Sequence, residues 1–286
     1  MRRLGTGVLM AAAMLATACS GDAGEPEMGL DEVQIVAAHN AYHLEVDQAV
    51  LDVISDNLPE LTPTIEYSHP TLTEQLELGV RSFELDVFED PDGGRYADPK
   101  AVGLLGLEPL DPAMREPGFK VLHIQEVDFR SSCPTLVACL TELRTWSDAH
   151  PDHLPIVVQL EVKDGVIPDP LALDFVQPIP TTVGSFTAIE GEIRSVLDDD
   201  RLVSVADVQG DHDTLRAAVE AEGWPDVADL AGRFVFLLDD HGAKRDLYRE
   251  LYPDTLDRLI FVDAQPPEDD ASFTVLNDPV ADGDRI

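Results

Sequence analysis

The sequence predicts an α/β fold built on a parallel sheet. Short, nearly continuous apolar runs recur along the chain, and segments with helical spacing of apolar residues alternate with them, as expected when helices cover both faces of a parallel sheet. A third observation concerns where the chemistry lies. Each apolar run finishes in a polar or ionisable residue, and the strand-to-helix loops of a closed barrel gather such groups on one face. An open doubly wound sheet satisfies the same alternation, but no GxGxxG or GxxxxGKS/T segment is present, so nucleotide-binding versions lose their main sequence support.

The elements follow in order. The stretch from Gly21 to about Leu30 is small and acidic without periodicity, a tether, and folding is expected from Asp31. Val33 to Ala38 is a β-rich run ending at His39-Asn40, and Val80 to Phe88 is a strand that carries Glu84-Leu85-Asp86. Lys120 to Ile124 carries His123, Pro155 to Val162 leads through Glu161 to Lys163, and Arg233 to Asp239 and Leu259 to Asp263 repeat the form. Helical patterns cover Thr71 to Leu78, Thr135 to His150, Ala188 to Leu197 and Asp213 to Glu222. Asp164 to Ala188 reads as a long excursion, and Glu89 to Gly94 as a solvated turn without EF-hand spacing. No internal repeat is visible, so one domain is expected over residues 31–286.

Charge excludes one class of partner. The 286 residues hold 56 Asp plus Glu against 19 Lys plus Arg, a net charge of −37, and no basic face is available for nucleic acid. The N-terminus sets the compartment. Met1-Arg2-Arg3, an apolar stretch from Val8 to Ala18 too short to span a bilayer, and small residues before Cys19 read as an export signal over residues 1–18. Leu15 to Cys19 resembles the lipobox of bacterial lipoproteins, which implies lipidation of Cys19 and an extracytoplasmic, membrane-anchored or secreted protein. Cys133 and Cys139 then remain as an even pair in an oxidising compartment, and a local disulfide is expected.

Side chains two apart on a strand share a face, so Glu84 with Asp86, and Glu161 with Lys163, should point the same way. With Asn40 the carboxylates form an all-oxygen set suited to calcium or magnesium and not to zinc. A cation would also relieve their mutual repulsion; the bland reading is three solvated strand ends. Two histidines that end apolar runs, His39 and His123, can act as general base and general acid, while His43, His69, His150, His153, His212 and His241 read as ordinary surface or core residues.

Five segments in this order resemble the calcium-dependent phosphoinositide-specific phospholipase C family in its bacterial secreted form. They are His39-Asn40-Ala41-Tyr42-His43, the run from His69 to Leu76, the run from Gly79 to Val87, Lys120 to His123, and Leu160 to Asp164. The resemblance implies a TIM-type (β/α)8 barrel of the phospholipase C-like phosphodiesterases, with Ca2+ held by Asn40, Glu84, Asp86 and Glu161. It implies His39 as base or transition-state stabiliser, His123 as the acid that protonates the departing diacylglycerol, Lys163 on a substrate phosphate, and an inositol cyclic phosphate product. Metal-independent relatives put an arginine at the cation's place, which the Glu84/Asp86 pair argues against. Glycerophosphodiester phosphodiesterases open with His-Arg-Gly where this chain has His39-Asn40-Ala41.

Family members usually continue beyond the Leu276 to Pro279 region into sequence that closes the barrel, so a C-terminal truncation is expected at Ile286. The expected partner is a phospholipid at a membrane surface, with the chain acting as a monomer without a protein partner. The competing readings are a glycerophosphodiesterase-like enzyme on another head group and a non-catalytic calcium- or solute-binding lipoprotein.

Overall fold

The structure, a computed structural model, describes residues 28–169 and 172–276. The export signal at 1–18, Cys19 and most of the stretch read as a tether lie outside the described residues. The N–H of Met28 donates to Asp226 and its carbonyl accepts from Val227, and the N–H of Leu30 donates to the Pro225 carbonyl.

In chain order the elements are β1 (Val36–Ala38), α1 (Gln48–Asn57), α2 (Thr62–Ile65), α3 (Leu72–Glu77), β2 (Val80–Phe88), α4 (Lys100–Leu105), β3 (Lys120–Val121) and α5 (Leu136–Ala149). They continue with β4 (Ile156–Val162), α6 (Val183–Val196), β5 (Leu202–Val203), α7 (Val205–Gln209), α8 (Leu215–Glu222), β6 (Phe234–Leu238), α9 (Ala243–Leu251) and β7 (Ile260–Val262). The sheet runs β1-β2-β4-β6-β5, with β3 on β2 and β7 on β6. Every pairing is parallel except β2 with β3. Among the described residues no pairing joins β7 to β1.

Strand parity divides the core into two layers. Phe83, Leu85 and Val87 of β2, and Ile156, Val158, Leu160 and Val162 of β4, face outward and pack under α3, α5, α6 and α9. On the inner face Val157, Val235 and Phe261 meet Trp224 and Leu230. Burying each such side chain contributes about 1.5–3 kcal/mol, so a one-residue slip of β2 or β4 would exchange the apolar outer row for the polar inner row. Helix starts are fixed by short polar signals. Thr71 and Glu74 form a reciprocal cap at α3, and the Thr135 hydroxyl accepts from Ala138 at α5.

Three expectations change. The run around His123 is not a barrel strand. Only Lys120–Val121 is extended, it lies antiparallel to the end of β2, and its other side is taken by Pro134 and Thr135. His123 therefore sits on the excursion between β2 and α5, brought to the site by that antiparallel contact. Asp90, read as part of a solvated turn, is buried 3.3 Å from the equally buried ammonium of Lys120. Finally, α6 begins five residues before the expected Ala188, because Thr182 and Ser185 cap a start that its Gly and Ser content disguises. The Cys133–Cys139 disulfide is present.

Candidate active site

The site begins with strand register. Parallel pairing sets Glu84 beside Gln159 and Asp86 beside Glu161, all on the inner face near the carboxyl ends of β2 and β4. One oxygen from each of Glu84, Asp86 and Glu161 lies within 4.8 Å of the others. Glu84 and Asp86 are buried. Burial first, and then the charge of Glu84, pushes the Asp86 carboxyl well above the usual carboxylate range, although Lys163 opposes the shift. The Lys163 ammonium lies 2.8 Å from Glu161 and 3.2 Å from Asp86. Burial alone would lower its pKa, but those two carboxylates outweigh it and hold the lysine above its ordinary value.

Asn40 joins the cluster from β1. Its backbone N–H donates to the Glu84 carboxylate at 2.5 Å, and Ala41 N–H donates to the Glu84 carbonyl. Its φ of 48° is left-handed, a conformation asparagine adopts more readily than most residues, and it turns the chain over the end of β2. The side-chain amide is held from both ends. It accepts from Tyr42 Oη at 2.9 Å and donates to Tyr67 Oη at 2.8 Å.

The oxygens are suited to a hard cation. Glu84 Oε1 and both oxygens of Asp86 are buried and accept no hydrogen bond among the described residues; Lys163 stands 3.2 Å from one Asp86 oxygen, but its single charge does not balance three carboxylates, and a bound cation would offset the rest. The set holds no sulfur and needs no imidazole, so its chemistry fits calcium.

His123 comes from the excursion between β2 and α5. Its Nδ1 donates to Asp128 Oδ2 at 2.8 Å, and the same oxygen accepts from His43 Nε2 at 2.7 Å. His43 is fully buried, with its ring stacked on Tyr67 at 4.1 Å between centroids. It is a core histidine, in keeping with its reading as a surface or core residue, and its contact to Asp128 ties it to His123. His69 also belongs to the surroundings, because its Nε2 donates to the His39 carbonyl at 3.0 Å. His39 is exposed, and its ring makes no hydrogen bond among the described residues. It lines a shallow groove with Tyr67 and His69.

The structure thus brings Glu84, Asp86, Glu161, Lys163 and Asn40 together, and links Asn40 to His123 through Tyr67, His43 and Asp128. Sequence reasoning missed His43, Tyr67 and Asp128. The first stood in the quoted His39-Asn40-Ala41-Tyr42-His43 segment. The other two carried no local signal, because only folding places them.

The sequence matches the family profile described as "Phosphoinositide phospholipase C, Ca2+-dependent" over residues 28–286. The chain belongs to that family. Among solved structures it is similar to a calcium-dependent phosphoinositol-specific phospholipase C from a Pseudomonas species, with 20% identity and a TM-score of 0.52 over 84% of this chain and 68% of the other. A myo-inositol complex of a Pseudomonas enzyme gives 20% identity and a TM-score of 0.52 over 83% of this chain and 66% of that one. The chain therefore spans about two-thirds of the length of these structures, and at such identity the likeness establishes the barrel-type fold. No functionally curated protein matches the sequence.

Proposed function

We propose that this phospholipase C family member is an extracytoplasmic phosphodiesterase that cleaves phosphatidylinositol-type lipids to diacylglycerol and an inositol cyclic phosphate. The observation that carries the reading is the cluster of Glu84, Asp86 and Glu161, three carboxylates in register with one lysine, Lys163, among them. Asn40, Glu84, Asp86 and Glu161 would hold calcium. When bound, the ion lowers the pKa of the attacking inositol 2-hydroxyl and offsets charge on the phosphate.

This chain's own residues supply the rest. The 2-hydroxyl oxygen forms a bond to phosphorus while the bond from phosphorus to the glyceride oxygen breaks. His123, held at Nδ1 by Asp128, gives the Nε2 proton to that leaving oxygen. The hydroxyl proton would go to His39 or to one of the carboxylates; His39 stands in the exposed groove outside the carboxylate cluster and would pass a proton to bulk water. Lys163 steadies a phosphate oxygen. An inositol head group is supported by the existence of a myo-inositol complex of a Pseudomonas relative. Export is supported by the disulfide and by the leader read at residues 1–18, with Cys19 as lipid anchor.

The experiment is turnover of phosphatidylinositol, with product detection by phosphorus NMR, for the wild type with calcium, the wild type with chelator, and His123→Ala. A cyclic phosphate formed only by the calcium-loaded wild type is expected. Chelator-insensitive turnover, or none on any inositol lipid, sinks the proposal, and calcium binding without turnover would leave a binding protein.

A further inference from the structure

The buried imidazole of His43 takes no part in the proposed proton transfers, yet it lies behind the site between Tyr67 and Asp128. Two histidine rings share one oxygen, Asp128 Oδ2, at 2.7 Å and 2.8 Å. Because a carboxylate only accepts, His43 Nε2 and His123 Nδ1 must both carry hydrogen. The rings meet edge to face, 5.8 Å apart and inclined at 76°. A carboxylate held by one donor can swing about its Cβ–Cγ bond, whereas two donors from crossing directions fix its plane.

The surroundings lock each member. Ile124 and Asp128 exchange both backbone hydrogen bonds at 2.8 Å, closing a turn whose Glu126 has a φ of 69°. That turn returns Asp128 beneath His123. His43 bridges to Ser131 across an antiparallel contact, and Ser132 N–H donates to the Tyr42 carbonyl. His43 and Asp128 are fully buried, while the His123 side chain is 18% exposed. One ring is therefore shut away from any substrate and the other is open to it.

We infer that His43 is a positioning residue that acts through Asp128. By donating to the oxygen that His123 also uses, it fixes Asp128 so that Nδ1–H of His123 stays bound there and the Nε2–H of the His123 imidazolium faces the leaving oxygen, which takes that proton and leaves a neutral ring. The inference rests on the reading of His123 as general acid. It assigns a catalytic consequence to a residue that touches neither substrate nor metal.

The test compares two leaving groups. From phosphatidylinositol the diacylglycerol would leave as an alkoxide and needs the proton, whereas from a nitrophenyl inositol phosphate the nitrophenol leaves as a stable phenoxide and scarcely needs it. His43→Asn shortens the side chain and takes the donor out of reach of Asp128. His43→Gln keeps an N–H near the position of Nε2. For His43→Asn, kcat on phosphatidylinositol should fall ~10- to 100-fold, the size of effect seen when the hydrogen-bond partner behind a metal-ligating histidine is lost, with KM within about two-fold and the nitrophenyl substrate losing less than about three-fold. His43→Gln should recover most of the loss, and calcium affinity by titration calorimetry should be unchanged in both.

Equal losses on the two substrates, or equal behaviour of the Asn and Gln variants, would overturn the inference. If His43→Asn does not melt cooperatively, the Gln variant and Asp128→Asn carry the same two-substrate comparison. The acid assignment is tested separately by His123→Ala. Should that variant lose as much on the nitrophenyl ester as on the lipid, the reading of His123 falls, whatever His43 does.

Discussion

Lys163 shows how one residue can serve two partners. Its ammonium stands between Asp86 and Glu161, which are also the oxygens proposed to hold calcium, so lysine and ion compete for the same negative charge. Lys163→Met should tighten calcium binding roughly ten-fold, about 1.4 kcal/mol of removed repulsion, while lowering kcat. Asp86→Asn should do the reverse for affinity, weakening it by at least about ten-fold. Titration calorimetry decides both, and a Lys163→Met variant with weaker calcium binding would show that lysine and ion do not compete. The exposed ring of His39 and the buried ring of His43 make a second residue-scale lesson. Three positions separate them in sequence, yet the left-handed turn at Asn40 sends one to the surface groove and the other behind the site.

At the scale of elements, register does the assembling. The pairing of Asp86 with Glu161 follows from β2 and β4 running parallel with their apolar residues outward, so the alternation that builds the outer core also aligns the carboxylates. The Cys133–Cys139 disulfide closes the approach to α5. Replacing both cysteines by alanine should cost about 2–3 kcal/mol by the entropy of a short loop, measured by urea unfolding under non-reducing conditions.

On the far side, Asp270 ties α9 to the segment before β7, accepting from Arg249 at 2.6 and 2.8 Å and from Arg258 at 2.7 Å. Burial alone would raise its pKa, but the two guanidinium groups outweigh burial and hold it below the usual carboxylate range. Its folded-state pKa thus lies below the unfolded value of about 3.9. The stability it contributes is present above that value and is lost as pH falls through the folded pKa. Asp270→Asn should cost about 3 kcal/mol at pH 7, and the gap from wild type should shrink toward pH 3. A gap independent of pH would refute the account.

The whole molecule carries a net charge of −37, and the carboxylates of the site are a small share of it. The remainder repels anionic surfaces over about a Debye length, 8–10 Å at ordinary salt, a repulsion that the lipid anchor proposed at Cys19 would offset. Calcium should stabilise the fold as a whole, because only the folded chain brings Glu84, Asp86 and Glu161 together. At a hundred-fold excess over Kd the gain is about 2.7 kcal/mol, a rise in Tm of about 5–10 °C. Scanning calorimetry with calcium and then with chelator checks it, and an unmoved Tm would argue against a single folded-state site.

The sequence by itself determined the α/β class, the strand and helix alternation, the carboxylates at strand ends and the disulfide. Each of these depends on periodicity or on spacing within one segment. The tertiary structure decided what no segment contains. His123 reaches the site on an antiparallel excursion and not on a barrel strand. Asp128 becomes the shared partner of two histidines, one of them 85 residues away. Tyr67 joins Asn40 to His43 only because the loop before α3 folds over β1. Local pattern fixes which face of a strand a side chain takes, whereas the meeting of two faces depends on register and packing, which are properties of the folded chain.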